Sequence, residues 1–275
     1  MKTECSVCPH RCKLEEGRIG ICHARINRDG RVVSENYGKL TAVALDPIEK
    51  KPLYHFHPGS RILSVGSYGC NLNCAFCQNS DISMSGGSKT ETQEVTCEAL
   101  VSMALELTNR DNIGIAYTYN EPLIGYEFVR DCAQLAKEKG LKNVAVTNGY
   151  ICKEPLMELL PLLDAMNIDL KGFTEEFYHK LRGDLKTVKQ SIELAAEVCH
   201  VEVTTLIIPG ENDSDEEIDA LSGWLAGVNP EIPLHISRFF PRWKMQDRNA
   251  TPIKTVYHLA EVARKHLKYV YEGNC

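Results

Sequence analysis

From residue 61 onward the chain repeats one pattern. A short run of β-branched and apolar residues is followed by a turn signal, then by a longer stretch with apolar residues at helical spacing. The short runs are RILSVGS, NIGIAYTY, KNVAVTNG, LDAMNIDLKG, HVEVTTLIIPG and IPLHISRFF. Between and after them stand CEALVSMALELT, PLIGYEFVRDCAQLAKEKG, EPLMELLPLL, TVKQSIELAAEV, SDEEIDALSGWLAG and TPIKTVYHLAEVARKHL. Strands that are apolar along their whole length need cover on both faces, and strands separated by helices run parallel. Six such units in series predict an α/β fold, either a barrel that closes in part or a doubly wound sheet. The pattern does not separate the two. In both, functional groups belong where strands end and loops begin.

The helices carry their own punctuation. Pro122 stands at a first-turn position and Gly140 at a C-terminal cap. Ser214 and Glu217 form a capping-box pattern ahead of Ile218, Leu221 and Leu225. Residues 1–58 differ from this array. They hold cysteines, short strand-like runs and Pro-Gly punctuation, and read as an N-terminal module wrapped onto a main domain of residues 59–275.

Bulk properties narrow the function. A net charge of -6 gives no support to nucleic-acid binding through phosphate neutralisation. No apolar run reaches the ~18 residues that suggest a membrane helix. The cysteine-rich, polar start MKTECSVCPHRC is unlike a signal peptide, so a cytoplasmic protein is expected.

In a reducing compartment the 12 cysteines point to metal rather than to disulfides. Cys5, Cys8, Cys12 and Cys22 form one group, and Cys70, Cys74 and Cys77 another. Cys97, Cys132, Cys152, Cys199 and Cys275 are scattered and read as small buried hydrophobes. The second group, in GCNLNCAFC, offers three thiolates and no fourth ligand nearby. Structural zinc sites are closed, so zinc would need a ligand from elsewhere in the chain. A [4Fe-4S] cluster suits the spacing better, since three irons take cysteine and the fourth stays open. Phe76 stands ready to shield such a cluster from water. The first group has four thiolates, enough to close a structural zinc site or to hold an auxiliary iron–sulfur cluster.

CNLNCAFC resembles the signature of radical S-adenosylmethionine (SAM) enzymes, and the resemblance extends over residues 61–271. It points to the pyruvate formate-lyase activating-enzyme branch. Within that branch CSVCPHRCKLEEGRIGICHAR, DPIEKKPLYHFHPGS, YTYNEP, TNGY, NIDLKGF and VTTLIIPGEND resemble the AmmeMemoRadiSam-system enzymes. The resemblance implies a partial (β/α)6 TIM-like barrel. It also implies a [4Fe-4S] cluster on Cys70, Cys74 and Cys77 whose open iron is chelated by SAM. Reductive cleavage of SAM would then release a 5′-deoxyadenosyl radical that abstracts hydrogen from a small molecule or from a glycine of a partner protein. A scaffold that keeps the fold alone is a third reading. The implied partners are a low-potential electron donor of flavodoxin or ferredoxin type, and AMMECR-type and Memo-type proteins. Members of the family often continue past the point where this chain stops at Cys275.

Residues at the strand ends complete the expected site. In YTYNEP, Asn120 and Glu121 occupy the position of a glycine-rich stretch that meets the SAM amino group; Glu121 either binds that group or caps the helix at Pro122. Thr147 and Asn148, in the TNG that ends the third strand, would turn a hydroxyl and an amide to the ribose or the substrate, or form an ordinary turn. Asn167, Asp169 and Lys171 share one strand face. The resemblance brings Lys171 to the SAM carboxylate with Asp169 nearby, whereas a mutual ion pair serving the fold is the other reading. Glu202 would touch ribose or substrate, or pair with a basic neighbour, and His235 would join the SAM pocket or rest in the core. Arg238, Arg242, Trp243 and Lys244 would meet an anionic substrate or a partner loop, or lie in a salt-bridged surface loop.

Overall fold

The computed structural model describes residues 2–275. One eight-stranded sheet organises the chain: β1 (Ala42–Pro47), β2 (Arg61–Gly66), β3 (Asn112–Tyr117), β4 (Lys142–Thr147), β5 (Ala165–Asp169), β6 (His200–Ile207), β7 (Leu234–Arg238) and β8 (Val270–Gly273). Their spatial order is their chain order. All neighbours from β2 to β8 pair parallel, and β1 lies antiparallel on β2 as an edge strand. A doubly wound sheet requires a reversal of strand order, and this one has none. β1 and β8 do not pair with each other, so the sheet stays open. The architecture is the partial barrel, with one parallel strand, β8, beyond the six expected.

The linking helices are α1 (Cys97–Glu106), α2 (Tyr126–Glu138), α3 (Lys153–Leu159), α4 (Leu185–Ala196), α5 (Asp215–Val228) and α6 (Ile253–Ala263). Thr96, Asp184 and Ser214 each cap a helix by accepting a backbone N–H. Glu217 departs from the expected box, because its carboxylate accepts from Phe173 N at 2.5 Å instead of reaching back to Ser214. Pro122 starts a short 3-10 turn that runs into α2, and Gly140 follows that helix with φ +74°.

Strand alternation sorts side chains into two layers. Leu63, Val65, Ile115, Tyr117, Ala145, Met166 and Ile168 belong to the large core that also contains the apolar faces of the helices. Ile62, Ala116, Val144 and Ala165 point the other way and meet Ile48 and Leu53. Those last two come from the segment between β1 and β2, which closes the N-terminal floor of the barrel. Asn167 Nδ2 donates to Pro52 O at 2.9 Å, and His55 N donates to Glu202 Oε1 at 2.7 Å. Residues 42–47, inside the expected N-terminal module, are thus part of the main sheet. The remainder of that module is built of short hairpins, Thr3–Glu4 with Lys13–Leu14 and Arg25–Arg28 with Arg31–Ser34.

Candidate active site

A cavity of about 400 Å³ opens at the C-terminal ends of the strands. Cys70, Cys74 and Cys77, on the loop after β2, line it together with Phe76, Glu121, Asn148, Asp169 and Lys171. Its size falls within the range of small-molecule sites. The expected residues from four separate strand ends therefore meet in one place.

Each wall has a local cause. Asn120 holds the start of the cysteine loop: its Oδ1 accepts from Ser67 N at 2.9 Å, and its Nδ2 donates to Gly69 O at 3.1 Å and Tyr68 O at 3.2 Å. Its polar atoms are spent on the loop. Glu121 acts as a cap, accepting from Leu123 N at 3.0 Å, Thr147 Oγ1 at 2.7 Å and Asn148 N at 2.7 Å. Burial pushes its carboxyl up to about 7 although all three donors pull it down. Asn148 Nδ2 lies 3.6 Å from Cys70 Sγ and 2.9 Å from Asn71 Oδ1. Phe76 stacks on Phe177 with ring centroids 6.3 Å apart.

Lys171 Nζ and Asp169 Oδ2 are 2.8 Å apart, so the expected ion pair exists, and it lies in the cavity wall. Burial alone would lower the lysine's pKa; Asp169 and the nearby Cys74 reverse this and hold it charged. Burial pushes the Cys74 thiol up to about 12 and the Cys70 thiol well above its ordinary value. Such thiols give up their protons only to a strongly positive centre.

Two expected site residues lie elsewhere. Glu202 and His235 share the inward face with Thr204, Leu206 and Ser237, yet only the latter three line the cavity. Glu202 sits one layer deeper. Its carboxylate accepts from His235 Nε2 at 2.7 Å, His200 Nε2 at 3.0 Å and His55 N at 2.7 Å, and its partners are histidines rather than Lys or Arg. These donors hold it down at about 2 against its burial. The floor segment occupies the space that a ligand would need. Asn167, on the same layer, bonds to Thr204 and to the floor. Arg238, Arg242, Trp243 and Lys244 also lie outside the cavity. None of the three cations pairs with a carboxylate among the described residues; Arg238 Nε donates to Thr251 O at 2.7 Å, and Lys244 N donates to Ala75 O at 3.0 Å.

Sequence reasoning missed the opposite wall, where Lys50, Lys51 and Tyr119 line the cavity. Asp46, on β1, accepts from Lys51 Nζ at 2.9 Å, Lys50 Nζ at 3.2 Å and Tyr119 Oη at 2.7 Å. These partners hold its carboxyl far below the usual range although burial opposes them. Lys51 Nζ also stands 4.6 Å from the Tyr119 ring centroid. Tyr119 has φ +71°, a left-handed backbone in the stretch where glycines were expected. The adjacent lysines of DPIEKKP, in a loop between apolar strands, were the available signal.

The N-terminal cysteines lie behind the cysteine loop. Cys70 N donates to Cys22 O at 3.2 Å, and His10 Nε2 meets Asn71 O at 2.8 Å. Gly69, at φ +89°, permits this approach, since a Cβ there would stand 2.3 Å from Cys22 O. Burial pushes Cys8 up to about 12 and Cys22 to about 11. Among the described residues no three His, Cys, Asp or Glu side chains gather closely enough to hold a single metal ion.

Residues 64–221 match the radical SAM superfamily profile. The chain belongs to the radical SAM superfamily. It is 42% identical over 277 residues to the uncharacterized protein MJ0808 of Methanocaldococcus jannaschii, covering 99% of this chain and 81% of that protein. It is 28% identical over 168 residues to the pyruvate formate-lyase 1-activating enzyme of Escherichia coli K12, covering 60% of this chain and 68% of that enzyme. Among solved structures, Streptococcus suis SuiB bound to S-adenosylmethionine superposes with a TM-score of 0.60 at 13% identity, over 78% of this chain and 52% of that one. A domain of a Bacteroides vulgatus pyruvate-formate lyase-activating enzyme gives 0.51 at 17%, over 58% and 99%. At these identities the two structures speak for the fold.

The superfamily implies a [4Fe-4S] cluster and SAM, and this radical SAM site suits them. Three thiols, Cys74 buried and Cys70 and Cys77 half-buried, line one cavity, and the Lys171 ammonium lies in the same lining near Cys74. A cluster offers each thiolate a separate iron, so its ligands stand farther apart than those of a single ion. Among the described residues no helix is long and apolar enough to cross a membrane.

Proposed function

We propose that this radical SAM protein uses Cys70, Cys74 and Cys77 to hold a [4Fe-4S] cluster, cleaves SAM reductively and draws a hydrogen atom from a small molecule carrying an anionic group. The observation that carries this reading is the wall of Lys50, Lys51 and Tyr119 in the same cavity as the three thiols. Once bound, the cluster supplies the electron that breaks the sulfonium C–S bond, and SAM supplies the hydrogen-abstracting 5′-deoxyadenosyl group. The chain's own residues hold and orient. Lys171, kept charged by Asp169, pairs with the SAM carboxylate. Thr147 and Glu121 brace the strand ends, and Phe76 keeps water from the thiolates.

On the opposite wall two lysines face one carboxylate, Asp46. Its partners leave that wall with a surplus positive charge, suited to a carboxylate or phosphate on the hydrogen donor. The electron comes from a flavodoxin- or ferredoxin-type donor in a reducing, cytoplasmic setting. The N-terminal cysteines are not gathered around a single ion, which leaves an auxiliary cluster as their reading, and it pins the hairpins of residues 3–34 to the barrel. The motif likeness to the AmmeMemoRadiSam enzymes supports AMMECR-type and Memo-type proteins as partners in the same pathway. A second reading, activation of a glycyl-radical enzyme, is supported by the likeness to the Escherichia coli activating enzyme.

A protein-free metabolite extract added to the reduced, SAM-loaded protein separates the two. Faster 5′-deoxyadenosine release with a small-molecule fraction is expected. Acceleration confined to a protein fraction, with a glycyl-radical signal by electron paramagnetic resonance, would establish the second reading instead.

A further inference from the structure

Two cysteines that play no part in the barrel site meet between α1 and α2. Cys97 is the first residue of α1, Cys132 lies within α2, and their sulfurs are 2.9 Å apart. A disulfide bond measures about 2.05 Å, so a sulfur movement of under about 1 Å separates this dithiol from the bonded form. Sequence spacing gave no hint of the pairing, since 35 positions separate the two.

The pair is asymmetric. Cys97 is half-buried at a helix N-terminus capped by Thr96, whereas Cys132 is fully buried. Cys132 Sγ donates to Cys97 Sγ, and Tyr37 Oη lies 3.7 Å from the same sulfur. The Cys132 hydrogen bond, helped by Tyr37, holds the Cys97 thiol below its ordinary value, and the same contact, with burial, pushes Cys132 up. Cys97 is the nucleophile and Cys132 the resolving thiol.

Cys97 also lines an open cavity of about 860 Å³. Glu94, Glu98, Asp131 and Glu138 line it too, and its lining contains no lysine or arginine. Arg130 pairs with Asp131 at 2.9 Å, so the carboxylates that a charged reactant approaching Cys97 meets are those of Glu94, Glu98 and Glu138.

We propose that Cys97 and Cys132 form a thiol–disulfide exchange site whose preferred reactants are cationic low-molecular-weight disulfides. The Cys97 thiolate attacks one sulfur of R–S–S–R, forming a Cys97–S–S–R bond and expelling R–S⁻. Cys132 releases its proton to the expelled thiolate, and its sulfur attacks Cys97 Sγ, breaking the mixed disulfide and expelling the second R–S⁻. The second R–S⁻ takes from solvent the proton that Cys97 gave up on ionising, so the dithiol loses two electrons and two protons and the small disulfide leaves as two thiols. The product ties α1 to α2.

The test uses the full chain, reconstituted anaerobically with iron and sulfide, and treated with cystamine or with glutathione disulfide. Alkylation and peptide mapping follow. A Cys97–Cys132 cross-link is expected, formed about tenfold faster with the cationic cystamine than with anionic glutathione disulfide at low salt, the gap narrowing at high salt. Cys132→Ser is expected to stop at a stable mixed disulfide on Cys97, and Cys97→Ser to leave Cys132 unmodified. Equal rates for the two reagents at low salt would overturn the charge preference. Modification of other cysteines with no Cys97–Cys132 cross-link would overturn the site.

Discussion

Asn148, just past the end of β4, reaches the cysteine loop, its Nδ2 lying 3.6 Å from Cys70 Sγ and 2.9 Å from Asn71 Oδ1. One side chain thus ties a strand end to the loop that carries all three site thiols. Asn148→Ala leaves the buried Asn71 Oδ1 without this donor, a loss of roughly 1–3 kcal/mol. Lower urea stability of the metal-free chain is expected, with faster loss of iron to a chelator after reconstitution. Unchanged iron retention would mean that Asn148 does not hold the loop.

Gly66 and Tyr119 are matched. A Cβ on Gly66 would stand 2.8 Å from Tyr119 Cδ2, and Tyr119 itself occupies a left-handed conformation. Gly66→Ala should cost about 1–3 kcal/mol in the natural background by pushing the ring off Asp46 and Lys51. In a Tyr119→Gly background the same change should cost less than about 1 kcal/mol. Equal costs in the two backgrounds, read by denaturant titration, would rule out the steric coupling.

The Asp46–Lys51 pair invites a second cycle. The Lys51 side chain is 3% exposed, and its removal leaves the Asp46 carboxylate short of its shortest lysine contact. Lys51→Met should destabilise by about 2–4 kcal/mol, and the double change Asp46→Asn with Lys51→Met should recover part of that loss. Additive losses in thermal or urea unfolding would show that the two groups do not act together.

Glu202 sets an acid limit. Its carboxyl is held at about 2 in the folded chain, against an ordinary value of 4.5. Above 4.5 its contribution is fully present. As the pH falls below that value the unfolded chain takes a proton that the folded chain refuses, and stability drains away until the folded group titrates near 2. The stability advantage of the natural protein over Glu202→Gln should narrow between pH 5 and pH 3, by on the order of 2 kcal/mol. A constant gap over that range would contradict the assignment.

The legible and illegible parts of the site differ for physical reasons. Cysteine spacing is local, so the triad could be read directly. Asp169 and Lys171 were legible because strand alternation and strand ends are both local. Glu202 and His235 obey the same alternation, but only the floor segment decides which inward layer meets ligand, and that packing is long-range. Lys51 and Tyr119 were overlooked for the same reason, since β1 brings them together from 68 positions apart in the chain. Barrel and doubly wound sheet share one sequence pattern, and strand order, a tertiary property, separates them. β8 spans only Val270–Gly273, too short for periodicity to register.

The central claim is that Cys70, Cys74 and Cys77 support reductive cleavage of SAM. The most direct measurement is 5′-deoxyadenosine formation under anaerobic conditions, after reconstitution with iron and sulfide and addition of dithionite and SAM, beside a Cys77→Ala control. The account predicts 5′-deoxyadenosine from the natural chain and none above background from Cys77→Ala. Equal product from both, or none from a natural chain that has taken up iron and bound SAM, would contradict it.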